Sequence, residues 1–84
     1  PAQASEQPDA LAASRQRAAR LAALVDGLDD EKRAVFVLFE IEELPMTRIA
    51  EILGCPVQTA YYRLHAARDR LKQGWQESTR GEPA

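Results

Sequence analysis

Met46-Thr-Arg-Ile-Ala-Glu-Ile-Leu-Gly-Cys-Pro-Val-Gln-Thr-Ala-Tyr-Tyr-Arg-Leu-His-Ala-Ala-Arg-Asp-Arg-Leu71 reads as two helices joined by one tight turn. Thr47 is placed to cap a short first helix whose inward residues are Ile49, Ala50, Ile52 and Leu53. Gly54 supplies the left-handed conformation that stops it. Pro56, with its fixed φ and missing N–H, suits the first turn of a second helix running from about Pro56 past Leu71. Ala60, Leu64, Ala67 and Leu71 recur at helical spacing and form its buried stripe. Ala50 is small enough to let two helices cross closely beside a turn, so the stretch reads as a helix-turn-helix.

On a helical wheel, whatever lies opposite that stripe faces solvent or a ligand. Gln58, Tyr62, His65 and Asp69 lie opposite, Thr59 and Ala66 border them on one side and Tyr61 on the other. Arg63 and Arg68 flank the buried stripe, where long side chains run outward along the surface. This chemistry suits base edges and phosphates in a major groove, and the candidate DNA-binding residues are Gln58, Thr59, Tyr61, Tyr62, Arg63, His65 and Arg68.

Leu44-Pro45-Met46, Ile49-Ala50, Leu53-Gly54, Thr59, Arg63-Leu64-His65 and Ala67-Arg68 with Leu71 together resemble region 4 of the extracytoplasmic-function (ECF) group of bacterial sigma factors. The resemblance extends upstream through Leu28-Asp29 and the helix around Val35-Phe36-Val37-Leu38, covering roughly residues 20–73. Isolated helix-turn-helix patterns are generic; a preceding Leu-Pro turn combined with Arg-Leu-His and Ala-Arg in the second helix is much more specific. The resemblance implies an all-α fold of about four helices with a C-terminal helix-turn-helix of the winged-helix-like, sigma region 4 type. It also implies recognition of the promoter −35 element, docking on the β-subunit flap of RNA polymerase core, a bacterial cytoplasmic, nucleoid-associated location, and an anti-sigma factor as a further partner class.

Two departures from the family pattern fall on the reading surface. Tyr61 and Tyr62 stand where the family commonly carries a basic and a small residue, and Ala66 often has an Arg counterpart, so both departures reduce positive charge. Tyr62 is suited to a thymine methyl, a phosphate or a protein contact. Tyr61 is suited equally to lying along a neighbouring helix. His65 reads as a surface phosphate or base contact, since the chain holds no second His to share a metal.

Net charge is −2, which by itself argues against a nucleic-acid binder, but the charges are segregated. Residues 1–56 hold six Lys/Arg against ten Asp/Glu, residues 57–74 hold four against one, and residues 75–84 hold one against two. The basic excess sits on the second helix of the motif. An isolated domain of this kind is expected to bind DNA weakly, because few phosphates are neutralised. At 84 residues, 45% apolar and 29% charged, the chain has the composition of one small globular domain with a modest core. No apolar run is long enough to span a membrane, and no membrane insertion is expected. The chain begins with Pro1 and carries no secretory signal, so a piece of something longer is expected. Cys55, the one cysteine, reads as a small apolar plug near the turn.

Three divisions follow: a tail or linker end over 1–8, a helical DNA-binding domain over 9–75 and a flexible tail over 76–84. Asp9 is placed to cap a first helix with Leu11, Ala18, Leu21, Leu24 and Val25 as a narrow stripe and Arg15, Arg17 and Arg20 on the wet side. Asp26-Gly27 ends it; an Ala-rich packing element or connector is the expected role. Asp29 caps the next helix, with Leu28 positioned to staple onto the Arg33 stem or neighbouring apolar residues. The body from Ala34 to Ile41 is apolar on almost every side and is expected to be the core, part of its surface being available as a docking groove. The last helix is expected to fray after Gln73-Gly74, with Trp75 either folded back or exposed.

Glu40, Glu42 and Glu43 lack a His or Cys partner and read as a solvated face. No catalytic pair, cofactor motif or metal set is visible, so an enzyme is not expected. Two other function classes fit the same pattern: a protein-interaction module held by an anti-sigma factor or adaptor, and a response-regulator output domain, which would normally lack the Leu-Pro signature.

Overall fold

The computed structural model describes residues 8–80. They form four helices, α1 (Pro8–Asp26), α2 (Asp30–Phe36), α3 (Met46–Leu53) and α4 (Val57–Arg80), and a π-helical segment, Val37–Ile41, that continues α2. No strand occurs among the described residues, so the fold is all-α with a helix-turn-helix at α3 and α4.

The α1–α2 corner is stitched by side chains that occupy unpaired backbone groups. Asp29 caps α2, its Oδ1 accepting the Lys32 backbone N–H at 3.0 Å while Oδ2 accepts from Lys32 Nζ at 2.7 Å. That short bond to Lys32 holds the Asp29 carboxyl below its ordinary pKa and holds the Lys32 ammonium above its own. Arg33 donates from Nη1 to the carbonyls of Asp26 at 3.1 Å and Leu28 at 2.7 Å, placing a cation at the negative end of α1.

Two apolar clusters hold the helices. Val35, Met46, Ile49, Ala50, Ala60 and Leu64 form one, where α2, α3 and α4 meet. Val25, Leu28, Ala67 and Leu71 form the other, where α1 meets α4. Phe36 packs against both and joins them. Leu28 is thus stapled onto neighbouring apolar residues, those of the second cluster.

Several local expectations are corrected. Thr47 does not cap α3: Pro45 occupies the N-cap position with no side-chain bond, and α3 already starts at Met46. Its inner face is Met46, Ile49, Ala50 and half-buried Leu53, at i, i+3, i+4 and i+7, which leaves Ile52 50% exposed. α4 starts at Val57, with the Pro56 carbonyl accepting the Ala60 N–H at 3.1 Å, so Pro56 stands just before the helix. α1 starts at Pro8, which puts Asp9 inside the first turn, where its charge still favours the helix dipole. Its stripe is covered only at Leu24 and Val25; Leu11 and Leu21 are exposed. Arg20 is not on the wet side: its guanidinium lies over the Trp75 ring, 5.2 Å from the centroid. The last helix does not fray at Gly74 and runs to Arg80, with Leu24 of α1 close against Gly74 and Arg20 over Trp75. The rest of the tail expected over 76–84 lies outside the described residues, as does that over 1–8 apart from Pro8.

The expected central core helix is also different. Val35 is its one fully buried residue, Phe36 to Phe39 are half-buried, and Ile41 is 60% exposed. The Glu42 N–H reaches the Val37 carbonyl at 2.9 Å, one residue farther back than in an α-helix, and the Leu44 N–H reaches Leu38 at 3.0 Å. Glu43 closes this end with φ 59°, a left-handed conformation that side chains disfavour. The wider π turn rotates Ile41 off the core.

Candidate nucleic-acid interface

Gly54 fixes the motif. Its φ of 67° and ψ of 39° end α3 in the left-handed conformation, and the Cys55 N–H bonds back to the Ala50 carbonyl at 3.0 Å. The reversal lays α4 across α3 with Ala50 and Ala60 both buried at the crossing. Half-buried Cys55 packs against the first cluster.

Burial of Ala60, Leu64, Ala67 and Leu71 turns the opposite side of α4 outward. Gln58, Tyr62, His65 and Asp69 are exposed there, with Tyr62 the most open at 72%. Tyr61 is 44% exposed at one border and Thr59 half-buried at the other. Five of the seven candidate residues, Gln58, Thr59, Tyr61, Tyr62 and His65, therefore share the exposed N-terminal half of α4.

Arg63 and Arg68 are placed differently. Arg63 Nη2 donates to Glu31 Oε2 at 3.3 Å, and Arg68 donates to Glu40 Oε2 from Nε at 2.8 Å, with Nη2 at 2.6 Å from the same oxygen. The Arg68 guanidinium also lies 5.7 Å from the centre of the Phe39 ring. Both flank cations are turned back onto carboxylates of α2 and the π turn. Each of these exposed pairs is worth at most about 1 kcal/mol, so a phosphate can compete for the arginine. The sequence placed both residues beside the buried stripe; their partners come from long-range packing that helical spacing does not reveal.

Arg48, on the exposed side of α3, was not among the sequence candidates. It pairs with Glu51 one turn on at 3.3 Å and stays largely open to solvent. Its signal was its place between the inward residues Met46 and Ile49.

A second surface feature lies on the other side of the domain. Ala18, Leu21 and Val25 of α1 face Phe36, Val37 and Ile41 across an apolar groove of about 580 Å³, rimmed by Asp26, Arg33 and Glu40. Among the described residues no group of three or more His, Cys, Asp or Glu could hold a metal ion. No helix among the described residues is long and apolar enough to cross a membrane.

Compared with known families, residues 18–71 match the family described as Sigma-70, region 4, a span that includes the α1–α2 corner, α3 and α4 as far as Leu71. No curated protein and no solved structure gives a match.

Proposed function

The chain belongs to the sigma-70 region 4 family, a DNA-binding, polymerase-interacting part of transcription initiation and not an enzymatic family, and from that premise we propose that α4 reads the promoter −35 element. The observation that carries this reading is the open face centred on Tyr62, which stands on the second helix of a helix-turn-helix opposite its buried stripe. A motif of this kind lays the N-terminal half of its second helix in the major groove, where Gln58, Thr59, Tyr61, Tyr62 and His65 meet base edges. Arg63, Arg68 and Arg48 then serve the phosphate walls. The apolar groove between α1 and the π turn receives the β-subunit flap of RNA polymerase, and the chain acts in the bacterial cytoplasm at the nucleoid as an ECF-type factor.

Tethering to polymerase does what the small charge excess cannot. Neutralising few phosphates gives weak binding, and attachment to core enzyme raises the effective concentration of the domain at the promoter. Footprinting holoenzyme assembled with the full-length factor tests the proposal: changing Gln58 and Tyr62 together to Ala should abolish upstream protection. Full protection with unchanged base preference would remove α4 from the interface.

One observation favours a second reading, as a protein-interaction module bound by an anti-sigma factor or adaptor: Tyr61 and Tyr62 give the open face an aromatic, nearly neutral character. Loss of upstream protection in the double variant, with polymerase binding retained, decides against it.

A further inference from the structure

We infer that Gln58 is the adenine-reading side chain of the open face of α4 and that Tyr62 lies against a thymine methyl; the inference rests on the promoter-reading role proposed above. In the major groove, guanine is read best by an Arg or Lys spanning O6 and N7, adenine by an Asn or Gln amide spanning N6 and N7, and thymine by apolar contact with its methyl. The outward residues of the first turns of α4, Gln58, Tyr61, Tyr62 and His65, include no Lys or Arg.

The arginines nearest this face do not supply the missing cation. Arg63 and Arg68 leave α4 beside its buried stripe and end on Glu31 and Glu40. Both heads sit at the sides of the helix, on carboxylates of α2 and the π turn. Asp69, one turn beyond His65 on the open face, is also exposed and, as an acceptor only, has no donor to give guanine O6 or N7. His65 can donate an N–H to N7, which both purines present. Among the outward side chains of the first turns, Gln58 carries the one amide, which matches adenine, and the Tyr62 ring is the most exposed large apolar surface.

Holoenzyme assembled with the full-length factor and challenged with promoters randomised through the upstream element tests this. Selected promoters should carry A·T pairs at the positions that Gln58 and Tyr62 contact, including one adenine preferred over guanine by about 5- to 150-fold, the range of a bidentate contact. Gln58→Ala should erase the preference at that one position, and Gln58→Glu should move it toward cytosine, whose N4 amine donates to a carboxylate. Arg63→Ala should lower retention of all sequences alike. A guanine preference that disappears in Arg63→Ala or Arg68→Ala would overturn the inference, as would an adenine preference that survives in Gln58→Ala. A flat profile for the unaltered factor would instead overturn the promoter-reading role itself. Gln58 is exposed, so thermal melts of its variants should match the parent and exclude misfolding as the cause.

Discussion

Leu24 and Gly74 meet with no side chain between them on the α4 side: a β-carbon at Gly74 would stand 2.7 Å from Leu24 Cδ2. Together with Arg20 stacked on Trp75, this contact seats α1 along the extension of α4 beyond the matched family span. Gly74→Ala combines two opposed effects, a helix-propensity gain of about 1 kcal/mol and displacement of a half-buried leucine methyl. Stability is expected to stay within about 1 kcal/mol of the parent, while fluorescence of Trp75, the one tryptophan in the chain, shifts as the Arg20 stack opens. Gly74→Val should cost about 1–3 kcal/mol. Unchanged Trp75 emission in both variants would show that α1 does not sit there.

Leu64 is 1% exposed at the centre of the first cluster. Leu64→Ala should destabilise by about 2–5 kcal/mol, a large part of the total for so small a domain. Ile52→Ala, on the open side of α3, should cost about 0.5 kcal/mol or less. Chemical denaturation of the two variants checks the contrast; equal costs would mean that α3 is rotated from the position described.

Glu43 and Gly54 are both left-handed, but only one is a glycine. Glu43→Gly removes a side-chain penalty of about 1–2 kcal/mol against a smaller entropic cost, so a net gain of about 0.5–1 kcal/mol is expected. Gly54→Ala should lose about 1–2 kcal/mol from backbone conformation alone, since nothing lies within 4 Å of the added carbon. Thermal melts with opposite shifts are the expected result.

The Asp29–Lys32 pair makes stability depend on pH at both extremes. Asp29 is held below its ordinary pKa by its bond to Lys32, so its contribution is complete above about pH 4 and is lost as pH falls through the lowered folded value. Lys32 is held above its ordinary pKa by Asp29, so its contribution is complete below about pH 10 and is lost as pH rises through the raised value. Asp29→Asn keeps a capping side chain and removes the charge. A plot of Tm against pH should therefore lose part of its acid limb in this variant; parallel curves would show that the pair does not titrate with folding.

Glu31→Gln and Glu40→Gln release Arg63 and Arg68 from their carboxylates. Upstream DNA should be held more tightly by holoenzyme carrying the double variant, with the log–log salt slope steeper by about 1 for each freed arginine that meets a phosphate. Base preference should not change. An unaltered slope would mean that neither arginine reaches DNA.

The helix-turn-helix was legible because its signals are local. Gly54 has one reason to interrupt an apolar period, and Ala60, Leu64, Ala67 and Leu71 mark a buried stripe by spacing alone. The open face followed from that stripe, which is why Gln58, Tyr62 and His65 stand where the wheel places them. Thr47 misled because capping residue types are common inside helices too, and Pro45 already supplied the extended residue before α3. Gly74 read as a stop because an isolated glycine costs helix stability; its close approach to Leu24 depends on a helix some fifty positions earlier in the chain. The partners of Arg63 and Arg68 were hidden for the same reason, being set by packing across α2 and not by any short-range pattern.

The π turn at Val37–Ile41 holds one residue of slack. Its Val37–Glu42 bond spans one position more than an α-helical bond, so deleting a single residue here would let the ladder close in the ordinary way. A codon lost from this segment should therefore be better tolerated than one lost from the middle of α4, where it would turn every later side chain by about 100°. The tolerated deletion would still rotate Ile41 and Glu40 relative to α1, which makes this one place where a length change could retune the apolar groove without unfolding the reading helix.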